Sequence, residues 1–270
     1  MEDSGLRIFS YLPNPRVWKA QIAGELCGVG VEVVGDKPAK LADWLWDFDA
    51  RPLSEAERSA DSPLARSGCR GFDVPLFKTD KFLEVHPFGT VPAAFSPDGE
   101  IGIFESNSIL RAVARLGSPE SGLYGRDPYQ ASRIDSFLDA SLVFAREAQV
   151  YLLGLDETTA PIQDRMAGAY AFYLDGIERA LGSHPFIAGD ELTLADISFA
   201  CDLAQFLQEQ RRRETLAALG LEPISDDGPA TYPRAFAHLL ALGERPEFAK
   251  YLDGYLNRYR NAQGVGLEAG

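Results

Sequence analysis

Short apolar runs separated by turn residues fill the first part of the chain, and helical spacing fills most of the rest. Leu6 to Tyr11 (LRIFSY) reads as a strand, and Leu12-Pro13-Asn14-Pro15 breaks it. Val17 to Cys27 then reads as a helix that turns Val17, Ile22, Ala23 and Leu26 inward. Gly28 to Gly30 ends this helix, and Val31 to Val34 reads as a second strand. A strand, a helix and a strand within about 30 residues predict a right-handed parallel crossover.

The most informative stretch is Phe88 to Leu110, FGTVPAAFSPDGEIGIFESNSIL. Pro92 cannot donate to a sheet ladder, so it belongs at the first residue of a strand, here Ala93 to Phe95. Pro97-Asp98-Gly99-Glu100 is a turn, because proline presets φ and glycine accepts positive φ. Ile101 to Phe104 returns as a second strand, and Ile109, Val113 and Leu116 then space out as one face of a helix. Where strand hands over to helix, Ser106 can offer a hydroxyl and a first-turn N–H to a carboxylate. Glu105, just outside, can accept from an ammonium, so the pair suits an α-amino acid head group. The same residues also fit a simpler role in which Ser106 or Asn107 only caps the helix.

Residues 35–71 interrupt this economy. They are rich in Pro, Ser and Arg and include Ala42-Asp43-Trp44-Leu45-Trp46-Asp47-Phe48. Two Trp and a Phe so close together are costly to leave in water. They are expected to pack as a short helix over a cleft or against a partner subunit, or simply to pin the insertion down.

Gly117 to Arg126 is a linker by its Gly, Ser and Pro content. Beyond it, Asp127 to Leu153 and residues 161–181 read as long helices, on which Phe137, Phe144, Arg146 and Tyr151 are candidates to line a pocket. Thr193 and Asp196 have the spacing of a capping box, flanked by Leu192 and Ile197 as a hydrophobic staple. Residues after about 262 are expected to be loose. The pattern therefore predicts an α/β domain over 1–117, with its insertion at about 35–71, and an all-helical domain over 126–262.

Composition narrows the function. With 270 residues and 46% hydrophobic content the chain can build two ordinary cores. No apolar run approaches a membrane span, and the N-terminus MEDSGLRIFSYL lacks the pattern of a secretory signal. Cys27, Cys69 and Cys201 are scattered and odd in number, and His86, His184 and His238 are equally scattered, so neither a disulfide framework nor a metal site is expected. A formal net charge of −14 argues against nucleic acid and anionic membrane surfaces as partners. The run Arg211-Arg212-Arg213 is read as an exposed helix end. A cytoplasmic location fits these features.

Val91-Pro92, a hairpin and Glu105-Ser106 at a helix start resemble the glutathione-binding half of the glutathione S-transferase superfamily. The resemblance implies a thioredoxin-like domain followed by an all-helical domain, the Thr193–Asp196 box being that second domain's buried capping motif. It also implies a cis proline at Pro92, a Val91 backbone that pairs with the cysteinyl part of glutathione, and Glu105 and Ser106 holding the γ-glutamyl end. Glutathione would enter as cosubstrate, with a hydrophobic electrophilic small molecule as the second substrate, in a homodimer with a detoxifying role. Lys37, Arg51 and Lys78 are candidates for the glycine carboxylate. Thr90 stands where many relatives carry Lys or Gln.

Thioredoxin-like redox proteins carry a cysteine at the start of the first helix, where the dipole lowers its pKa. None precedes Cys27 here. Asn14, Tyr11 and Ser10 remain as groups that could hydrogen-bond a bound thiolate and favour it. Asn14 in Pro-Asn-Pro is similar to the Pro-Ser-Pro of some transferase classes and to the asparagine turn of bacterial Nu-class enzymes, which puts Asn14 first and Tyr11 second. The resemblance implies a glutathione transferase whose activated thiol attacks an electrophilic small molecule, of the β-etherase, dehalogenase or related type. The lack of a nearby cysteine equally permits a Nu-like glutathione-dependent disulfide reductase. The stretches Tyr11-x-x-Asn14-x-Arg16-x-x-Lys19-Ala20, Lys78-Thr79-x-x-Phe82-Leu83 and Ile103-Phe104-Glu105-Ser106-Asn107 resemble the transferase-like domain of the elongation factor 1 gamma subunit. That similarity keeps a non-catalytic interaction module open.

Overall fold

The computed structural model describes residues 5–59, 61–68 and 72–262. Cys69 and the residues after 262, expected above to be loose, lie outside that range. The chain divides into two units, Met1–Ser118 and Pro119–Gly270.

In the first unit β1 (Leu6–Tyr11), α1 (Pro15–Cys27) and β2 (Val31–Asp36) form the expected crossover, with Leu6 opposite Val31 and Tyr11 opposite Asp36 in parallel register. Sequence sets both ends of α1. Asn14 caps its start, Pro15 occupies the first turn, and Gly28 leaves it at φ 74, where a glycine carries no Cβ penalty. Leu26 is half-buried rather than inward, and Cys27 takes the buried position.

The chain then departs into an inserted sheet before it returns. β3 (Trp44–Trp46), β4 (Arg51–Pro52), β5 (Ala65–Arg66) and β6 (Leu76–Lys78) make a four-stranded sheet in the order β4-β3-β6-β5. After α2 (Asp80–Val85), β7 (Ala93–Phe95) and β8 (Gly102–Ile103) complete the main sheet in the order β2-β1-β7-β8, and α3 (Ser106–Leu116) follows. Helices α1 and α3 pack on each other. This is the thioredoxin-like arrangement the sequence suggested.

The insertion corrects one expectation. Trp44-Leu45-Trp46 is a strand, not a helix, and its rings are buried within this unit rather than against a partner. Trp44 and Trp46 are both buried, with half-buried Leu45 between them, which is the period of two that a strand imposes. They join Phe9, Leu41, Leu76, Phe82 and Phe95 in one core. Trp46 sits edge-on to Phe9 at 5.5 Å and donates its indole N–H to the Leu41 carbonyl. Aromatic pairs of this kind are worth about 0.5–1.5 kcal/mol beyond burial.

The second unit is helical: α4 (Pro128–Leu153), α5 (Ala160–Leu181), α6 (Leu194–Phe206), α7 (Arg213–Ala218), α8 (Gly228–Thr231), α9 (Pro233–Gly243) and α10 (Pro246–Ala262). Every residue of α6 except Gln205 is buried, so α6 is the axis of this core. Its start is fixed by the capping box, with the Asp196 carboxylate accepting from the Thr193 N–H at 2.8 Å and the Thr193 hydroxyl at 3.1 Å. Ser141 of α4 and Ser198 of α6 hydrogen-bond at 2.8 Å inside the same core. Phe144 and Tyr151, expected above as pocket-lining candidates, are core residues here. Phe144 stacks on Tyr173 at 4.8 Å, and Tyr151 donates to buried Glu209 at 2.8 Å. Phe137 instead lines an open groove of about 510 Å³ along α4 and α5 with Arg133 and Phe172. Arg146 is exposed.

Candidate glutathione site of the N-terminal unit

Antiparallel pairing places Ala94 opposite Ile103 and Phe95 opposite Gly102. The start of β7, which follows Val91-Pro92, and the end of β8, which precedes Glu105-Ser106, therefore lie at the same end of this pair. The hairpin thus gathers Val91, Pro92, Glu105 and Ser106 at one end of the main sheet. The Val91–Pro92 peptide is cis. Val91 is half-buried, and its N–H and C=O make no hydrogen bond among the described residues.

Glu105 is the one described non-glycine residue with positive φ, at 64°. A bulky residue in this region is uncommon and points to a site that over-determines it. The consequence is local. Glu105 takes the N-cap position without a side-chain cap bond, its carbonyl accepts from Ser108 and Ile109, and its exposed side chain is left without a hydrogen bond or ion pair among the described residues. Ser106 is the first residue of α3, is 5% exposed, and its hydroxyl is likewise unpaired. Its N–H belongs to the first turn, which has no acceptor within the helix. Neither Ser106 nor Asn107 is the cap. What remains is an open donor pair at a helix N-terminus beside an open carboxylate.

One residue that sequence reasoning passed over lies beneath this turn. His86 is fully buried between Phe82, stacked at 5.5 Å, and Phe104 at 5.0 Å. Neither ring nitrogen has a hydrogen-bond partner among the described residues. Burial is the largest influence and pushes its pKa down, Lys78 adds to this, and Glu105 and the Pro92 carbonyl oppose it. The fold therefore favours neutral His86. Its contribution is complete above the unfolded value of about 6.5 and is lost as the pH falls through that value, by up to about 1.4 kcal/mol per pH unit. His86→Gln is expected to flatten the loss of thermal stability as the pH falls below about 6.5. Parallel melting-temperature profiles of parent and variant would refute this.

The Leu12–Pro15 turn separates the candidate thiol-activating groups. Asn14 is fully buried, its amide donates to Ser10 Oγ at 3.0 Å, and its carbonyl oxygen accepts from the Arg16 N–H at 2.9 Å. Ser10 is fully buried as well. Tyr11 is half-buried at the end of β1 and packs against the aromatic core on the insertion side. Cys27 is buried at the last turn of α1, and burial pushes its thiol up, away from thiolate chemistry.

The candidates for the glycine carboxylate also separate. Arg51 is paired with Glu57 at 2.6 Å. Lys78 is buried and donates to the Gly89 carbonyl at 2.7 Å. Lys37 is exposed just beyond β2, and its ammonium has no partner among the described residues. Thr90 is half-buried.

Residues 160–241 match the family model of the glutathione S-transferase C-terminal domain. A glutathione S-transferase-like protein of Gibberella moniliformis is 27% identical over 206 residues, 73% of this chain and 74% of that protein. Residues 160–241 thus carry a glutathione S-transferase C-terminal domain, and most of the chain is similar to a glutathione S-transferase-like protein. A probable elongation factor 1-gamma of Arabidopsis thaliana is 32% identical over 130 residues, 47% of this chain. The chain spans only 31% of that relative's length. Among solved structures, a delta-class glutathione transferase of Nilaparvata lugens superimposes with a TM-score of 0.63 at 12% identity, covering 96% of this chain and 99% of that one. A glutathione S-transferase of Methylobacillus flagellatus solved with GSH bound gives 0.60 at 14% identity, covering 91% and 98%. Among the described residues no helix is long and apolar enough to cross a membrane.

Proposed function

We propose that the protein binds glutathione at the Val91, Pro92, Glu105 and Ser106 turn and activates its thiol for transfer to a hydrophobic electrophilic small molecule. The observation that carries this reading is the set of unpaired groups there. Val91 offers a free peptide N–H and C=O, Ser106 a free hydroxyl at a helix start, and Glu105 a free carboxylate. These are the groups needed for the cysteinyl backbone, the γ-glutamyl carboxylate and the γ-glutamyl ammonium in turn. Lys37 is the best-placed cation for the glycine carboxylate, being exposed and uncommitted.

For thiol activation, Asn14 is engaged as the cap of α1, and the Tyr11 hydroxyl at the end of β1 is the other candidate donor. A hydrogen bond to the thiolate favours the charged form. Tyr11→Phe is expected to raise the pKa of the bound thiol by about one unit, which corresponds to about 1.4 kcal/mol. The ultraviolet absorbance of the thiolate measures it, and an unchanged titration would return the role to Asn14. The same reading includes a homodimer in the cytoplasm; a solution mass of one chain would contradict the dimer.

A second reading rests on the elongation factor 1-gamma similarity, under which the fold serves as an interaction module without turnover. Aryl-halide conjugation and disulfide reduction assays with glutathione separate the readings. Conjugation supports the transferase and reduction alone supports a Nu-like reductase. No binding of glutathione or its disulfide supports the module.

A further inference from the structure

The inserted sheet and the proposed glutathione site meet at one side chain. Lys78 closes β6, where the parallel register sets it beside Trp46 of β3. It is 4% exposed, its ammonium lies 4.8 Å from the centre of the Trp46 ring, and it donates to the Gly89 carbonyl at 2.7 Å. A buried ammonium is costly unless its donors are used, and a carbonyl together with an aromatic face supplies that compensation. Gly89 in turn is two residues ahead of Val91. It sits at φ 54, its N–H donates to the His86 carbonyl at 2.9 Å, and a Cβ there would stand 3.0 Å from Leu83 and 3.3 Å from the Lys78 ammonium. The backbone of the 86–92 loop therefore rests directly on Lys78.

We propose that Lys78 is a positioning residue for Val91, and that the insertion shapes the site through Trp46, Lys78 and the Gly89 carbonyl. Trp46 is itself fixed by its bond to Leu41 and its contacts with Phe9 and Phe82. A rigid aromatic core thus holds the ammonium, the ammonium holds the loop, and the loop presents the Val91 peptide to the cysteinyl part of the ligand. This gives the Trp44–Trp46 strand of the insertion a role in binding that acts through Lys78 rather than through contact with the tripeptide. It also explains why Lys78, a sequence candidate for the glycine carboxylate, is turned inward. The inference rests on the glutathione reading above.

The test uses the full chain with Lys78→Met, Gly89→Ala and, as control, Trp44→Phe, which alters the same core without touching Lys78. Two quantities are read: glutathione affinity by calorimetry and amide hydrogen exchange over residues 86–92. Lys78→Met is expected to weaken glutathione by about tenfold, the scale of one lost charge-assisted hydrogen bond, and to speed exchange in that loop selectively. Gly89→Ala is expected to do the same while keeping the charge, which keeps the proposal testable if Lys78→Met fails to fold. Trp44→Phe should lower the melting temperature and change neither quantity. Parental exchange and affinity in both loop variants would overturn the proposal. So would faster exchange spread evenly over the whole unit, or faster loop exchange with unchanged affinity. If the parent binds no glutathione, the functional reading fails by itself, and loop exchange alone still decides whether Lys78 holds the loop.

Discussion

Asp196→Ala is expected to lower the stability of the helical unit by about 3–4 kcal/mol, a large share of a typical domain's 5–15 kcal/mol. The carboxylate is fully buried at the start of α6 and serves four donors. Thr193 donates through its N–H and its hydroxyl, Ile187 donates its N–H at 3.0 Å, and His238 Nε2 lies 2.8 Å away. Alanine would leave these groups buried and unpaired, and an orphaned buried donor costs about 1–3 kcal/mol where a bond made in water's place gains only about 1. A capping box alone would lose about 1 kcal/mol. The excess comes from Ile187 and His238, which tie the preceding turn and α9 to the same carboxylate. Asp196→Asn, which keeps one acceptor oxygen, should fall between parent and alanine. Thermal or urea unfolding followed on the helical unit decides it. A loss near 1 kcal/mol would mean that the two long-range bonds contribute little.

Ser106→Ala is expected to weaken glutathione binding by about ten- to a hundredfold, the range of a hydrogen bond to a charged group. The hydroxyl has no hydrogen-bond partner among the described residues, so its removal should leave stability within about 0.5 kcal/mol of the parent. This asymmetry makes the variant informative. A residue that merely began a helix would leave affinity unchanged, and a residue that held the fold would lose stability on substitution. Calorimetric affinity together with a melting temperature reads both at once. An unchanged affinity would remove Ser106 from the site.

Sequence carried the local features and missed those that depend on folding at a distance. The β1–α1–β2 crossover, the β7–β8 hairpin, the start of α3 and the capping box of α6 each rest on residues a few positions apart, so periodicity and turn chemistry reveal them. The strand Trp44–Trp46 did not show itself, because three residues are too few to separate a period of two from one turn of helix. His86 gave no signal because its burial between Phe82 and Phe104 is a property of the packed core. The same holds for His238, 42 positions from Asp196, and for Lys78, whose partner Gly89 lies in another segment. Asn14 was legible as a special turn residue, but sequence could not tell the cap of α1 from a group facing a ligand. Fully buried and bonded to Ser10 and Arg16, it is built first as the cap.

The most direct measurement of the central claim is calorimetric titration of the full chain with reduced glutathione near neutral pH. The expected result is saturable binding of one tripeptide per chain with a Kd below about 1 mM, equivalent to about 4 kcal/mol, weakened in Ser106→Ala. Absence of saturable heat for the folded parent at concentrations of about 10 mM would contradict the glutathione site.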